Sequence, residues 1–346
     1  MKRDEIIKKF SKIGFLLHPN LLNFLVENPD EIDKVIEIAE KIKPKRKVLS
    51  LDLLKSKFLK VEKKKVRFKI LKRIEKREKI STSDLLKILS TRYKKIQKFL
   101  LARMELTNLL SINKISPRSK KFSIIGIIRE IDPDTNSITV EDLTGELTLK
   151  TKISNLVEDE VIGIVCERKG DEIFAKRILH PDIPIYRDIG KCEEEIKVMF
   201  LPSFSFIKKV KDAYDCLIIL EEKKDGEKVI CFNDKITNPS LIEINGIKIF
   251  ISDGKFLEKY EKQFGLSRLK TLLELLKKRH LNPKISKENL NDDIFLLDKL
   301  LDIIAVKNEK TEFMNYKGIT LICCGKDKGV MVNLKTREVS KIDFEK

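Results

Sequence analysis

Three residue sets in this chain have chemistry beyond folding: six cysteines, three histidines and a concentrated run of lysine and arginine. Cys166, Cys192, Cys216, Cys231, Cys323 and Cys324 would hold structural zinc only at short paired spacing. None forms a C-x-x-C pair and most sit in apolar strand-like runs, so they read as buried reduced thiols. The histidines are His18, His180 and His280. His18 precedes Pro19 and reads as the residue that starts a helix, not as a ligand.

From Lys41 to Lys79 there are 18 Lys and Arg against 4 Asp and Glu, a surplus of +14 within a chain whose net charge is +18. Charge that concentrated fits a polyanionic partner through counterion release. The other reading is a Lys- and Ile-rich composition whose lysines merely solvate helix faces. The stretch lacks the interleaved aromatics of a base-stacking platform. Lys63, Lys64, Lys65, Arg67, Lys69, Lys72 and Arg73 are the candidate DNA contacts.

The elements that must position these residues follow from patterning. At 346 residues, 42% hydrophobic and 36% charged, the chain reads as soluble and multidomain. No apolar run nears the roughly 18 residues of a membrane span. Met1-Lys2-Arg3-Asp4-Glu5 turns polar where a signal peptide would turn apolar, so a cytoplasmic protein without membrane partners is expected.

The first third reads helical. Ile6, Ile7, Phe10 and Ile13 share a face before Gly14; a second helix opens at Pro19; Ile32, Val35, Ile36 and Ala39 stripe a third, ended by Pro44. Helical patterning resumes from Ser50 to Leu110, with Ser81-Thr82-Ser83-Asp84 as an N-cap. At Ser116-Pro117 the period changes to two. Five short strands up to Ile178, with turns at Asp132–Asn136 and Thr144-Gly145, predict a small barrel of the OB type. His180–Pro184 reads as a linker. Beyond it, near-continuous apolar strands alternate with helical stretches, as in a sheet covered on both faces. The expected organisation is a helical domain over 1–45, a basic helical linker region over 46–116, an OB fold over 117–180 and an α/β domain over 185–346.

This order resembles the small subunits of archaeal family D DNA polymerases, which are related to the B-subunits of eukaryotic replicative polymerases. The stretches with the resemblance are "ITNPSLIEINGIKIFISDGKFLEKY" from Ile236 to Tyr260, "LLKKRHLNP" from Leu275 to Pro283 and "YKGITLICCG" from Tyr316 to Gly325. The resemblance implies a calcineurin-like phosphodiesterase sandwich over the α/β region. It also implies a 3′→5′ exonuclease site with two metals held by Asp, His and Asn at strand tips.

Against that family's motifs, this chain departs at most positions. Pro202 and Phe204 stand where the first Asp-x-His belongs. Glu222 keeps a carboxylate at the bridging position of the second motif, with Asp225 and Gly226 matching its end. Asn233 persists in the third, but Asp234 and Lys235 replace its histidine and carboxylate. Asp253-Gly254 stands for the fourth motif's His-Gly, and "AVKNEK" from Ala305 to Lys310 contains none of the fifth motif's histidines. The expectation is a degenerate site with no catalytic residue and no metal or other cofactor; a divalent ion on Glu222 and Asp253 is the weaker alternative.

The expected role is then the non-polymerising small subunit of a replicative polymerase. It would scaffold a large catalytic subunit, contact DNA and meet other replisome proteins, with its own exonuclease activity lost. The alternatives are an active metal-dependent nuclease with a rearranged site, and a stand-alone OB-fold nucleic-acid-binding protein.

Overall fold

The computed structural model describes residues 3–41, 48–50, 66–74, 81–152, 154–210, 214–222, 229–285 and 293–344. The chain divides into two compact units, Met1–Lys65 and Val66–Lys346.

In the first unit, helices α1 (Arg3–Lys12), α2 (Pro19–Glu27) and α3 (Ile32–Lys41) accompany a two-residue parallel pair, β1 (Leu16–Leu17) with β2 (Val48–Leu49). Ile6, Phe10, Leu21, Leu25, Ile32, Val35, Ala39 and Leu49 form its core. Ile7, expected on the α1 stripe, is instead 40% exposed, because one residue turns the helix by about 100° from Ile6, which packs on the core with Phe10 and Ile13. His18 caps α2 as expected, its ring Nδ1 accepting the Asn20 N–H.

The second unit opens on strand β3 (Phe68–Arg73), where a helix was expected. Phe68, Lys69 and Ile70 alternate apolar and basic, and the strand hydrogen-bonds to a neighbour that supplies the long-range partner. Helix α4 (Thr82–Leu101) follows, with the anticipated N-cap realised as a full capping box between Ser81 and Asp84.

Strands β4 (Lys121–Asp132), β5 (Ser137–Glu141), β6 (Glu146–Lys150), β7 (Val161–Lys169) and β8 (Glu172–Leu179) pair in a ring, β4-β5-β6-β8-β7. One parallel residue pair, Lys150 opposite Phe174, makes the β6–β8 contact that completes it. Phe122, Ile124, Ile128, Ile138, Val140, Leu149, Ile162 and Ile164 fill its interior.

The rest is α/β. One sheet has the order β11-β10-β9-β17-β18, from β9 (Lys197–Leu201), β10 (Cys216–Glu222), β11 (Ile230–Phe232), β17 (Lys328–Asn333) and β18 (Val339–Asp343). The other has the order β15-β16-β14-β13-β12-β3, from β12 (Ser240–Ile244), β13 (Ile247–Ser252), β14 (Ile303–Lys307), β15 (Glu312–Tyr316) and β16 (Ile319–Cys324). Period-two alternation splits each strand between layers: Ile303 and Ala305 of β14 face a core shared with Val198, Phe200, Ile218 and Leu220 of the first sheet. Ile304 and Val306 face the helices α5 (Glu258–Phe264) and α6 (Arg268–Lys277), through Tyr260, Leu272 and Leu275. The outer face of the first sheet is covered by Phe204, Phe206 and Ile207.

The cysteines are all free thiols; five are buried and Cys216 is half-buried. Burial pushes the thiols of Cys166, Cys216 and Cys323 up to about 12, so they stay protonated and act as small apolar groups. Among the described residues no helix is long and apolar enough to cross a membrane.

Candidate functional site

Strand β10 runs parallel to β9 and β11, and β13 runs parallel to β14. Parallel strands end together, and the carboxyl ends of an open sheet are where such folds gather polar loops. Here the tips of β10, β11, β13 and β14 line one cleft of about 1100 Å³. Of the residues singled out from the sequence, Glu222, Asn233, Asp234, Asp253 and Arg73 line it together. Pro202 and Phe204 do not. Pro202 is buried after β9, and the Phe204 ring packs on the outer face of its sheet while its N–H donates to Glu221 Oε2 at 3.0 Å. Lys223, Lys224, Asp225 and Gly226 lie outside the described residues.

Several of the cleft's oxygen donors are engaged inside the protein. Asn233 Oδ1 accepts the N–H groups of Lys235 and Ile236, both at 2.9 Å, which makes it a turn-forming side chain. Asp253 accepts the Lys255 N–H and lies 3.4 Å from the Lys255 ammonium. Glu221, not singled out from the sequence, takes the Lys307 ammonium at 3.8 Å. Burial alone would raise the Glu221 carboxyl; the Ser203 hydroxyl, the Phe204 N–H and Lys307 outweigh it and hold it below the usual range. Glu309 pairs with Lys326 at 2.9 Å, and that hydrogen bond lowers its carboxyl too. Arg268 sits bidentate on Glu261 and donates to the Lys307 carbonyl.

Lysines thus pair with Asp253, Glu221 and Glu309, where a binuclear centre would need such oxygens free. Among the described residues no group of three or more His, Cys, Asp or Glu gathers to hold a metal ion. The described donor set does not fit two metals. Gly254 keeps a matching backbone role: with φ +78°, a side-chain carbon there would come within 3.0 Å of the Lys307 carbonyl.

Among the described residues the basic candidates do not make one surface. Lys63, Lys64 and Lys65 lie outside the described residues. Arg67 donates its N–H to Asn245, and Lys69 stands 3.7 Å from Glu243. A bulge at Leu71 lets Lys72 and Arg73 serve different cavities: Lys72 donates to the Asp293 carbonyl, and Arg73 lines the strand-tip cleft.

A second polar cluster was not foreseen in this form. Lys278, Arg279 and His280, at the end of α6, each reach a different element. Lys278 meets Glu160, just before β7 in the barrel, at 2.6 Å with both side chains 1% exposed. Arg279 donates to the Asp182 carbonyl and stacks over Phe99 of α4, 4.5 Å from the ring centre. His280 Nδ1 accepts the Asn282 N–H, so its Nε2 carries the proton that Asp293 accepts at 2.9 Å. Arg92 of α4 donates to the same Asp293 and to the carbonyls of Asp159 and Pro283. Burial, reinforced by Arg92, pushes His280 down to about 4 and keeps it neutral. His280 is therefore a tie between elements, not a metal ligand.

No protein-family model matches the chain. It is 26% identical over 230 residues to the DNA polymerase II small subunit of Methanothermobacter thermautotrophicus, an alignment covering 57% of this chain and 47% of that protein. It is 28% identical over 134 residues to the DNA polymerase II small subunit of Archaeoglobus fulgidus, covering 36% of this chain and 27% of that protein. The matches thus span less than half of either relative's own length.

Proposed function

We propose that this chain, a relative of the archaeal DNA polymerase II small subunits, is a non-polymerising scaffold subunit of a replicative polymerase with a silenced exonuclease site. It carries an OB-type barrel and a calcineurin-like phosphodiesterase sandwich, and it docks a large catalytic subunit. It also contributes to DNA binding and meets other replisome proteins. One observation supports this reading above the rest: Asp253, Glu221 and Glu309 in the cleft are paired with Lys255, Lys307 and Lys326, while a buried ionic network ties the barrel to the sheets. A rigid body with a neutralised cleft suits a docking platform better than a hydrolase. Permanent interfaces often exceed roughly 2,000 Å². The test is co-expression with a large polymerase subunit. A stable complex with no Mn²⁺-dependent degradation of single-stranded DNA is expected, and a chain that elutes alone and monodisperse counts against the reading.

The second reading is a nuclease with a rearranged site. It is favoured by Glu222 and Asp253 lining the same cleft. Manganese-dependent hydrolysis abolished by Glu222→Ala and by Asp253→Ala would establish it.

A further inference from the structure

Between β8, the last strand of the barrel, and β9 the chain forms a strap at the end of the sheet opposite the strand-tip cleft. Arg187 fixes it there. Its side chain is 5% exposed, and its guanidinium donates to the carbonyls of Leu301 and Gly318, each at 3.0 Å. Those residues lie just before β14 and β16, parallel neighbours whose far ends lead to Lys307 and Lys326 in the cleft. Further bonds hold the strap on both sides of Arg187. The Lys317 ammonium donates to the Ile183 carbonyl at 3.0 Å, the Gly190 N–H to Asp302 Oδ1 at 3.1 Å, and the Cys192 N–H to the Leu334 carbonyl at 3.1 Å.

A segment held this firmly nevertheless turns apolar side chains to solvent: Ile185 is 73% exposed, Tyr186 95% and Ile189 44%. Clustered exposed apolar groups mark a protein contact, and tyrosine is enriched in such contacts. Because the backbone is already ordered, docking here would cost little further entropy. Charge selects the partner. From Asp182 to Glu195 there are five carboxylates, Asp182, Asp188, Glu193, Glu194 and Glu195, against Arg187 and Lys191, in a chain whose net charge is +18. Lys317 meets Asp182 at 2.6 Å, and the other four acidic residues are exposed. An acidic rim repels nucleic-acid phosphates, and two copies of a +18 chain repel each other. The complement is a different protein surface, apolar at its centre and lined by Lys or Arg.

We propose that the strap from Ile185 to Glu195 docks the large catalytic polymerase subunit. It takes a segment of that subunit that sets apolar side chains on Ile185, Tyr186 and Ile189, and basic ones on the carboxylates. The identity of the partner rests on the polymerase reading; the chemistry of the surface does not.

The test titrates the full chain against the purified large subunit by biolayer interferometry at low and moderate salt. Ile185→Ser/Tyr186→Ser removes the apolar centre, and the affinity should fall by about tenfold or more. Glu193→Lys/Glu194→Lys reverses the rim, and its loss should shrink as salt rises. Leu86→Ser/Leu143→Ser, at exposed apolar positions on α4 and in the β5–β6 turn, should bind like the wild type. If the first variant does not fold, Tyr186→Ala alone replaces it. A wild type that binds while both strap variants bind as tightly overturns this surface and leaves the polymerase reading intact. A wild type that does not bind at all sinks that reading and this proposal with it. Equal weakening by the control pair overturns the proposal. So does a strap variant that keeps the large subunit but loses single-stranded DNA or self-association, since either names another occupant.

Discussion

Lys278→Met removes the charge from the most deeply buried ion pair while keeping an apolar stem of similar length. Glu160 is left 1% exposed, holding only the Val157 N–H at 2.8 Å and a neutral His180 ring 3.6 Å away. Removing one member of a buried pair costs about 3–5 kcal/mol. The carboxyl can limit that cost by taking up a proton. At about 1.4 kcal/mol per pH unit, protonating a group whose ordinary pKa is 4.5 costs roughly 3 kcal/mol at pH 7. The loss should therefore be about 3 kcal/mol at neutral pH.

The sign with pH is also set. Burial already raises Glu160 above its ordinary value, with Lys278 opposing. A raised carboxyl contributes stability below its unfolded pKa that is lost as pH climbs through the folded one. Without Lys278 the folded value climbs further, so the deficit of the variant should shrink as pH falls from 8 toward 5. Urea unfolding of both proteins followed by circular dichroism across that range measures it. A deficit under about 1 kcal/mol at pH 7, or one that does not change with pH, refutes the view that this pair holds the barrel against the sheets.

Acid should also loosen the Arg92–Asp293–His280 tie: His280 is lowered from 6.5 to about 4, so stability is complete above pH 6.5 and falls between the two values. Urea midpoints that fail to drop from pH 7 to 4.5, relative to His280→Gln, contradict this. Lys307→Ala should relieve the downward pull on Glu221 yet cost no more than about 1 kcal/mol, since the pair is partly exposed; a larger loss on thermal unfolding means the pair does more than balance charge. One millimolar Mn²⁺ should leave the melting temperature unchanged, whereas a site with a Kd a hundredfold lower would add about 2.7 kcal/mol. Gly325→Ala should destabilise by about 1–3 kcal/mol, because the new carbon would collide with the backbone of Lys310 and Thr311; an unchanged denaturation midpoint would show that this loop yields freely.

Much of this molecule was legible from residue order. Alternation in Glu146–Lys150 and near-continuous apolar runs around Ser240–Ile244 and Ile319–Cys323 marked strands, and Ser81 with Asp84 marked a helix start, because these signals act over a few residues. Tertiary structure alone decided the rest. Phe68–Arg73 became a strand because β12 offers it an open edge, a partner about 170 residues away that no local period announces. Which of Lys72 and Arg73 meets which cavity was settled by one bulge. That Lys278, Arg279 and His280 tie three elements together, and that Lys307 stands over Glu221, depends on side chains distant in the chain meeting where water is excluded. Burial sets the strength of such charges, and burial belongs to the folded whole.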